Sequence, residues 1–139
     1  MASGLDIRAG IDTETVKGLL LLNGGGAVAF LAFLPAVIGR EEYAALAIAI
    51  LIGLLLCHLG LLFAVIHNRL RRVCNLRYEQ VKADSPDHPV PCQIFGRTLS
   101  RQPCVCLVSI TFMWGSMAMF FAAGLSVFVG GLLIVWRYL

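Results

Sequence analysis

Apolar residues in this chain fall into three long runs, not into short alternating blocks. The second run sets the scale. Residues 44–66 contain no Asp, Glu, Lys or Arg, and His67-Asn68-Arg69-Leu70-Arg71-Arg72 follows directly. That makes about 23 apolar residues, and about 20 suffice for a helix to cross a hydrocarbon core near 30 Å thick. The first run covers residues 16–38, and the third lies within residues 105–136. In the third, Trp114 and Trp136 are separated by about 33 Å at 1.5 Å per residue. Tryptophan prefers membrane interfaces, so the crossing proper is expected between these two, with residues 106–113 extending the helix inward. The pattern predicts an all-α membrane protein. It has three transmembrane helices and a basic cytoplasmic loop, residues 67–104, that contains a helical extension of the second helix.

The polar stretches set the connections. Residues 1–15 mix Asp6, Asp12 and Glu14 with Arg8. This leader is too acidic, and the run after it too long, for a signal peptide, so a retained N-terminal segment is expected. Asp12 or Thr13 is expected to cap the first helix, with Glu14 in its first turn. Gly39-Arg40-Glu41-Glu42 is short enough to force an antiparallel hairpin between the first two crossings. Pro86, Pro89 and Pro91 end the extension of the second.

Composition supports the same class. The chain is 59% hydrophobic and 14% charged, against about 25% charged in ordinary soluble domains. The net charge of +3 is unevenly placed. Arg69, Arg71, Arg72, Arg77, Lys82, Arg97 and Arg101 follow the second crossing, whereas Arg40 stands alone after the first and Arg137 after the third. Clustering of this kind marks a cytoplasmic loop, not a nucleic-acid surface. The N-terminus is therefore expected inside and the C-terminus outside. Cys74, Cys92, Cys104 and Cys106 fall in or beside that loop, where thiols are normally reduced.

Small residues recur at helical spacing in each run. Gly18, Gly25, Ala29, Ala32 and Ala36 share one face of the first, while Asn23 lies on another face. Ala45, Ala49, Gly53, Cys57, Gly60 and Ala64 share one face of the second. Thr111, Gly115, Ala118 and Ala122 share one face of the third. Between membrane helices such residues allow close backbone approach. Gly25, Ala29 and Ala32 are therefore expected to pack against Ala49, Gly53 and Gly60, with Gly25 and Gly53 where the two crossings touch. Three such stripes exceed the needs of one bundle, which points to a homo-oligomer or a membrane-protein partner as well as to the lipid bilayer.

Candidate chemistry is sparse. His88, Cys92, Cys104 and Cys106 supply four groups that zinc accepts. They lack paired Cys-x-x-Cys spacing, and reduced surface thiols are the plainer reading, so no metal or other cofactor is expected. His58 and Asn23 are the intramembrane polar residues. An ionisable side chain at membrane depth suggests haem ligation, a proton relay or an interhelical hydrogen bond. Neither other crossing offers a second histidine for haem, so a neutral His58 bonded to Asn23, Ser109, Ser116 or a backbone carbonyl is expected. Asn23-Gly24-Gly25-Gly26 could expose carbonyls to an ion, as broken transporter helices do. No crossing carries a carboxylate, and a packing notch with one interhelical hydrogen bond is the plainer reading. No Ser, His and acid set is placed for nucleophilic catalysis, so an enzyme is not expected.

The Asn-Gly-Gly-Gly-Ala of the first crossing with Leu-Ala-Phe-Leu after it, and the His-Asn-Arg-Leu-Arg-Arg closing the second, resemble a group of small bacterial integral-membrane proteins. The resemblance spans about the first 80 residues. It implies the bacterial inner membrane and carries no functional residue with it. The expected function is non-enzymatic: association through helix packing, as an oligomer or accessory subunit. The alternatives are a pore-forming or toxin-like effector, and a metal- or redox-responsive sensor built on the loop cysteines.

Reporter fusions at Leu139 test the topology. A periplasmic alkaline phosphatase should be active there and a cytoplasmic fluorescent reporter dark; the reverse result rejects three crossings in this orientation.

Overall fold

The computed structural model describes residues 4–84 and 105–139, which are helical almost throughout. Helix α1 is Gly4–Val37, a 3-10 turn covers Glu41–Tyr43, α2 is Ala44–Asp84 and α3 is Val105–Tyr138. Each helix holds a stretch long and apolar enough to cross a membrane: Gly10–Val37, Glu41–Val73 and Val108–Arg137. The fold is all-helical, with three such helices. The 41 residues of α2 extend about 60 Å at 1.5 Å each, so α2 outruns its own apolar stretch. His88, Cys92, Cys104 and the loop prolines Pro86, Pro89, Pro91 and Pro103 lie outside the described residues.

The start of α1 differs from expectation. It begins at Gly4, which places Asp12 and Thr13 inside the helix instead of at its cap. The reason is a set of partners that helical geometry makes available. Asp12 Oδ2 meets Arg71 Nε of α2 at 2.8 Å. Thr15 donates to the Ile11 carbonyl at 3.0 Å, and Lys17 meets Glu14 at 2.7 Å. The end of α1 is sharper. Ile38 N–H still reaches the Leu34 carbonyl at 3.0 Å. Gly39 then takes φ 82, the left-handed conformation that closes a helix with least strain in glycine. Arg40 is extended, and Tyr43 N–H closes the following turn onto its carbonyl at 3.0 Å.

Helix α2 is the central element. It packs along both neighbours, most extensively along α3, while α1 and α3 scarcely meet. Its inward positions are Ala49, Ile50, Gly53, Leu54, Cys57, Gly60, Ala64 and His67. Helix α3 buries Ser109, Ser116, Ala123 and Gly130, all small and spaced by sevens. Seven-residue spacing keeps one seam facing the partner along a gently supercoiled pair. A Cβ at Gly130 would stand 2.6 Å from that of Ala49, so α2 and α3 are in backbone contact there.

Two expectations about the stripes are corrected. Gly25, Ala29 and Ala32 face outward, and a Cβ at Gly25 would have nothing within 4 Å. Helix α1 instead buries Val16, Leu19, Asn23, Ala27 and Val37, with Phe30 and Leu34 packed on the same core. The physical reason is complementarity. The notches of α2 are filled by large side chains of α1, Phe30 over Gly53 and Asn23 over Gly60. Each such filling adds many dispersion contacts, whereas two facing small surfaces would leave gaps. In α3, Thr111 and Ala118 are likewise exposed, and the Ser109-to-Gly130 series takes the inward face.

Gly60→Ala should therefore lower stability in mild detergent by about 1–3 kcal/mol, the usual range for overpacking. Gly25→Ala should be neutral or stabilising by up to about 1 kcal/mol, because it adds helix propensity in open space. Denaturant titration of the two variants measures both.

Candidate functional site

Polar side chains form three ties between helices, two buried and one at the basic end. The deepest centres on Asn23, fully buried in α1. Its Nδ2 donates to the Leu19 carbonyl of its own helix at 3.1 Å, to Ser116 Oγ of α3 at 3.2 Å and to the Ser116 carbonyl at 3.5 Å. Ser116, also fully buried, donates onward to the Gly60 carbonyl of α2 at 2.8 Å. All three helices thus meet at one layer. Asn23 Oδ1 has no conventional donor and sits where a Gly60 side chain would stand. Only Cα hydrogens are on offer at that glycine, a weak donor that membrane and soluble helix interfaces both use.

The second tie joins His67 of α2 to Ser109 of α3. His67 Nδ1 lies 2.7 Å from the Ser109 carbonyl and 2.8 Å from Ser109 Oγ. Ser109 Oγ donates to the His67 carbonyl at 3.2 Å. A carbonyl at that distance only accepts, so Nδ1 carries a hydrogen. The nitrogen facing the serine hydroxyl therefore has no free lone pair with which to act as its base. The pair works as a strut, with both residues at least 96% buried, His67 being 4% and Ser109 2% exposed. The third tie is the Asp12–Arg71 ion pair at the basic end. At the opposite end one lesser bond joins α3 to α2, from Ser126 Oγ to the Ala49 carbonyl at 3.2 Å.

The structure separates the two intramembrane polar residues named from sequence. Asn23 lies at the three-helix junction. His58 points outward and its Nδ1 lies 2.7 Å from the Leu54 carbonyl one turn back, so it ties no helices together. Of the packing positions, Ala49, Gly53 and Gly60 lie inside, while Gly25, Ala29 and Ala32 lie outside. The metal candidates His88, Cys92 and Cys104 are outside the described residues, as is the side chain of Cys106. Among the described residues no group of three or more His, Cys, Asp or Glu is placed to hold a metal ion.

Sequence reasoning offered Ser109 only as a partner for His58 and read His67 and Arg71 only as part of the basic loop, although a signal for their interhelical roles existed. Continuing the α2 stripe beyond Ala64 by steps of three and four lands on His67 and then Arg71. Ser109 and Ser116 are seven apart, one repeat of the α3 seam. The class that fold and site define is an all-helical protein with three potential membrane-crossing helices tied by buried polar contacts. No family model, no curated protein and no solved structure matches the chain.

Ser116→Ala should cost about 0.6 kcal/mol and no more than about 1.7, the mean and maximum measured for hydrogen bonds between membrane helices. Asn23→Ala should cost about 1–3 kcal/mol, because it also leaves polar partners and a void. The double variant should lose less than the sum, since both act on one network. His58→Ala should change stability by under about 0.5 kcal/mol. Unfolding of the four variants in one detergent makes the comparison.

Proposed function

We propose that the chain is a non-enzymatic polytopic protein of the bacterial inner membrane, N-terminus inside and C-terminus outside, that acts by association of its helices with further copies of itself or with a larger membrane assembly as an accessory subunit. The observation that carries the reading is the outward face of α1. Gly25, Ala29 and Ala32 lie there at helical spacing, uncovered by α2 or α3. Lipid offers no hydrophobic drive between helices, so a stripe of small residues between larger outward side chains such as Leu21 and Val28 is where another backbone can approach closely enough to gain contact.

The rest of the surface supports membrane residence. Leu21, Val28, Phe121, Phe128 and Leu133 are among many large apolar side chains turned outward, and Trp136 is 82% exposed. Water would leave this area uncovered at about 25 cal/mol per Å²; hydrocarbon does not. The bundle centre is filled by Ile50, Asn23, Cys57 and Ser116, so a single copy would have to displace these to form a pore. Orientation rests on the arginines that follow the second apolar run, and the inner membrane on the resemblance of the first two crossings to small bacterial membrane proteins.

Light scattering of the full chain extracted in mild detergent should give a particle of more than one chain. Ala29→Leu should shift it to single chains while leaving the helical content of each chain unchanged, because the added side chain points away from the bundle. A wild-type particle of one chain at every protein concentration, with no co-extracted subunit, overturns the reading.

A further inference from the structure

At the basic end, a cleft of about 360 Å³ lies between α1 and α2. Helix α1 lines it with Thr13, Val16, Lys17 and Leu20, one face of the helix, and α2 lines it with Asn68, Arg71 and Arg72. The lining is graded. Val16 and Leu20 make an apolar inner wall, Lys17 and the two arginines bring positive charge, and Asn68 adds an amide. The cleft also lies in the first turns of the apolar stretch Gly10–Val37 and the last turns of Glu41–Val73, the level at which headgroups meet a spanning helix. From this combination we infer that the cleft binds the phosphodiester of an anionic phospholipid, with the glycerol and upper acyl carbons against Val16 and Leu20.

Charge selects the ligand. Two carboxylates stand beside the three cations: Asp12 on Arg71 at 2.8 Å and Glu14 on Lys17 at 2.7 Å. Among the described residues no carboxylate pairs with Arg72, which is exposed. Among the described side chains the surplus at the cleft is one positive charge, matched by the single negative charge of a phosphodiester such as that of phosphatidylglycerol. The Lys17–Glu14 pair is at the surface, with side chains 61% and 72% exposed. Exposed pairs of this kind are weak, so Lys17 can turn to a phosphate at little cost. Arg71 is held in place by Asp12, which fixes its guanidinium at the cleft. Basic pockets between membrane helices on the cytoplasmic side are a known way to hold acidic headgroups.

The inference rests on the membrane reading above and is independent of association between chains. Native mass spectrometry of the full chain, scored as lipid bound per chain, tests it with phosphatidylglycerol, phosphatidylcholine of the same acyl chains, and inorganic phosphate as probes. Phosphatidylglycerol should be retained about fivefold better than phosphatidylcholine, the worth of one cation at a membrane surface. Arg72→Gln, an exposed change that the fold tolerates, should remove most of that preference, as should Lys17→Gln. Arg137→Gln, at the other end of the bundle, should leave it intact. Equal retention of the two lipids, or an Arg72→Gln protein with undiminished preference, overturns the site. Millimolar inorganic phosphate that displaces phosphatidylglycerol would assign the cleft to free phosphate and overturn the lipid assignment. A protein that is monomeric but keeps the lipid preference would refute association alone, so the two readings fail separately.

Discussion

The Asn23 amide, wedged over Gly60 and bonded to Ser116, is the contact on which the bundle's register depends. A primary amide away from water must find acceptors, and in a helix bundle the unsatisfied alternative costs more than any single apolar contact. Asn23 finds its partners only if Ser116 of α3 and Gly60 of α2 lie at its level. The absence of a side chain at Gly60 is the other half of the constraint, because a methyl there would occupy the place of the amide. From this layer the remaining contacts follow at equal steps. Moving up α1 to Gly26 and Phe30 moves down α2 to Cys57 and Gly53; moving back to Asp12 reaches Arg71. Seven residues along α2 and α3 from the same layer, His67 meets Ser109.

The distribution of polar ties makes the two ends of the molecule unlike. From Asn23 toward the basic end come the amide layer, the histidine–serine strut and the Asp12–Arg71 pair. From Asn23 toward the Gly39 turn, among the described residues α1 is held by apolar contact, with Phe30, Leu34 and Val37 on Ile50, Leu54 and their neighbours. Dispersion contacts constrain position less sharply than hydrogen bonds, which require direction as well as distance. The basic end is therefore the more closely specified. It is also where the cleft between α1 and α2 opens, between side chains already fixed by their ties.

The face proposed for association and the cleft proposed for lipid occupy different parts of this frame. The α1 face with Gly25, Ala29 and Ala32 lies at the middle of the apolar stretch, whereas the cleft with Lys17 and Arg72 lies near its end. A second copy can approach the one without covering the other. Both depend on α1 being attached chiefly to α2, because that attachment leaves its outer face free.

Helix number, the hairpin between α1 and α2, and the continuation of α2 beyond its apolar run were legible in the sequence, since run length and the placement of arginine and glycine decide them locally. The inward stripe of α2 was legible for the same reason: small residues at steps of three and four mark where a backbone can come close, whatever partner arrives. Which face of α1 meets that stripe was not legible. Periodicity finds a face but carries no sign, and in an apolar run both the small face and the face with Asn23 and Phe30 are admissible. Packing chose the second, because large side chains fill the notches at Gly53 and Gly60 and small ones do not. The same holds for Asp12, which looks like a cap until Arg71 is brought beside it, and for His67, which looks like the edge of a basic loop until Ser109 meets it. These pairings join positions far apart in the chain, and only the antiparallel register set at Asn23 brings them together.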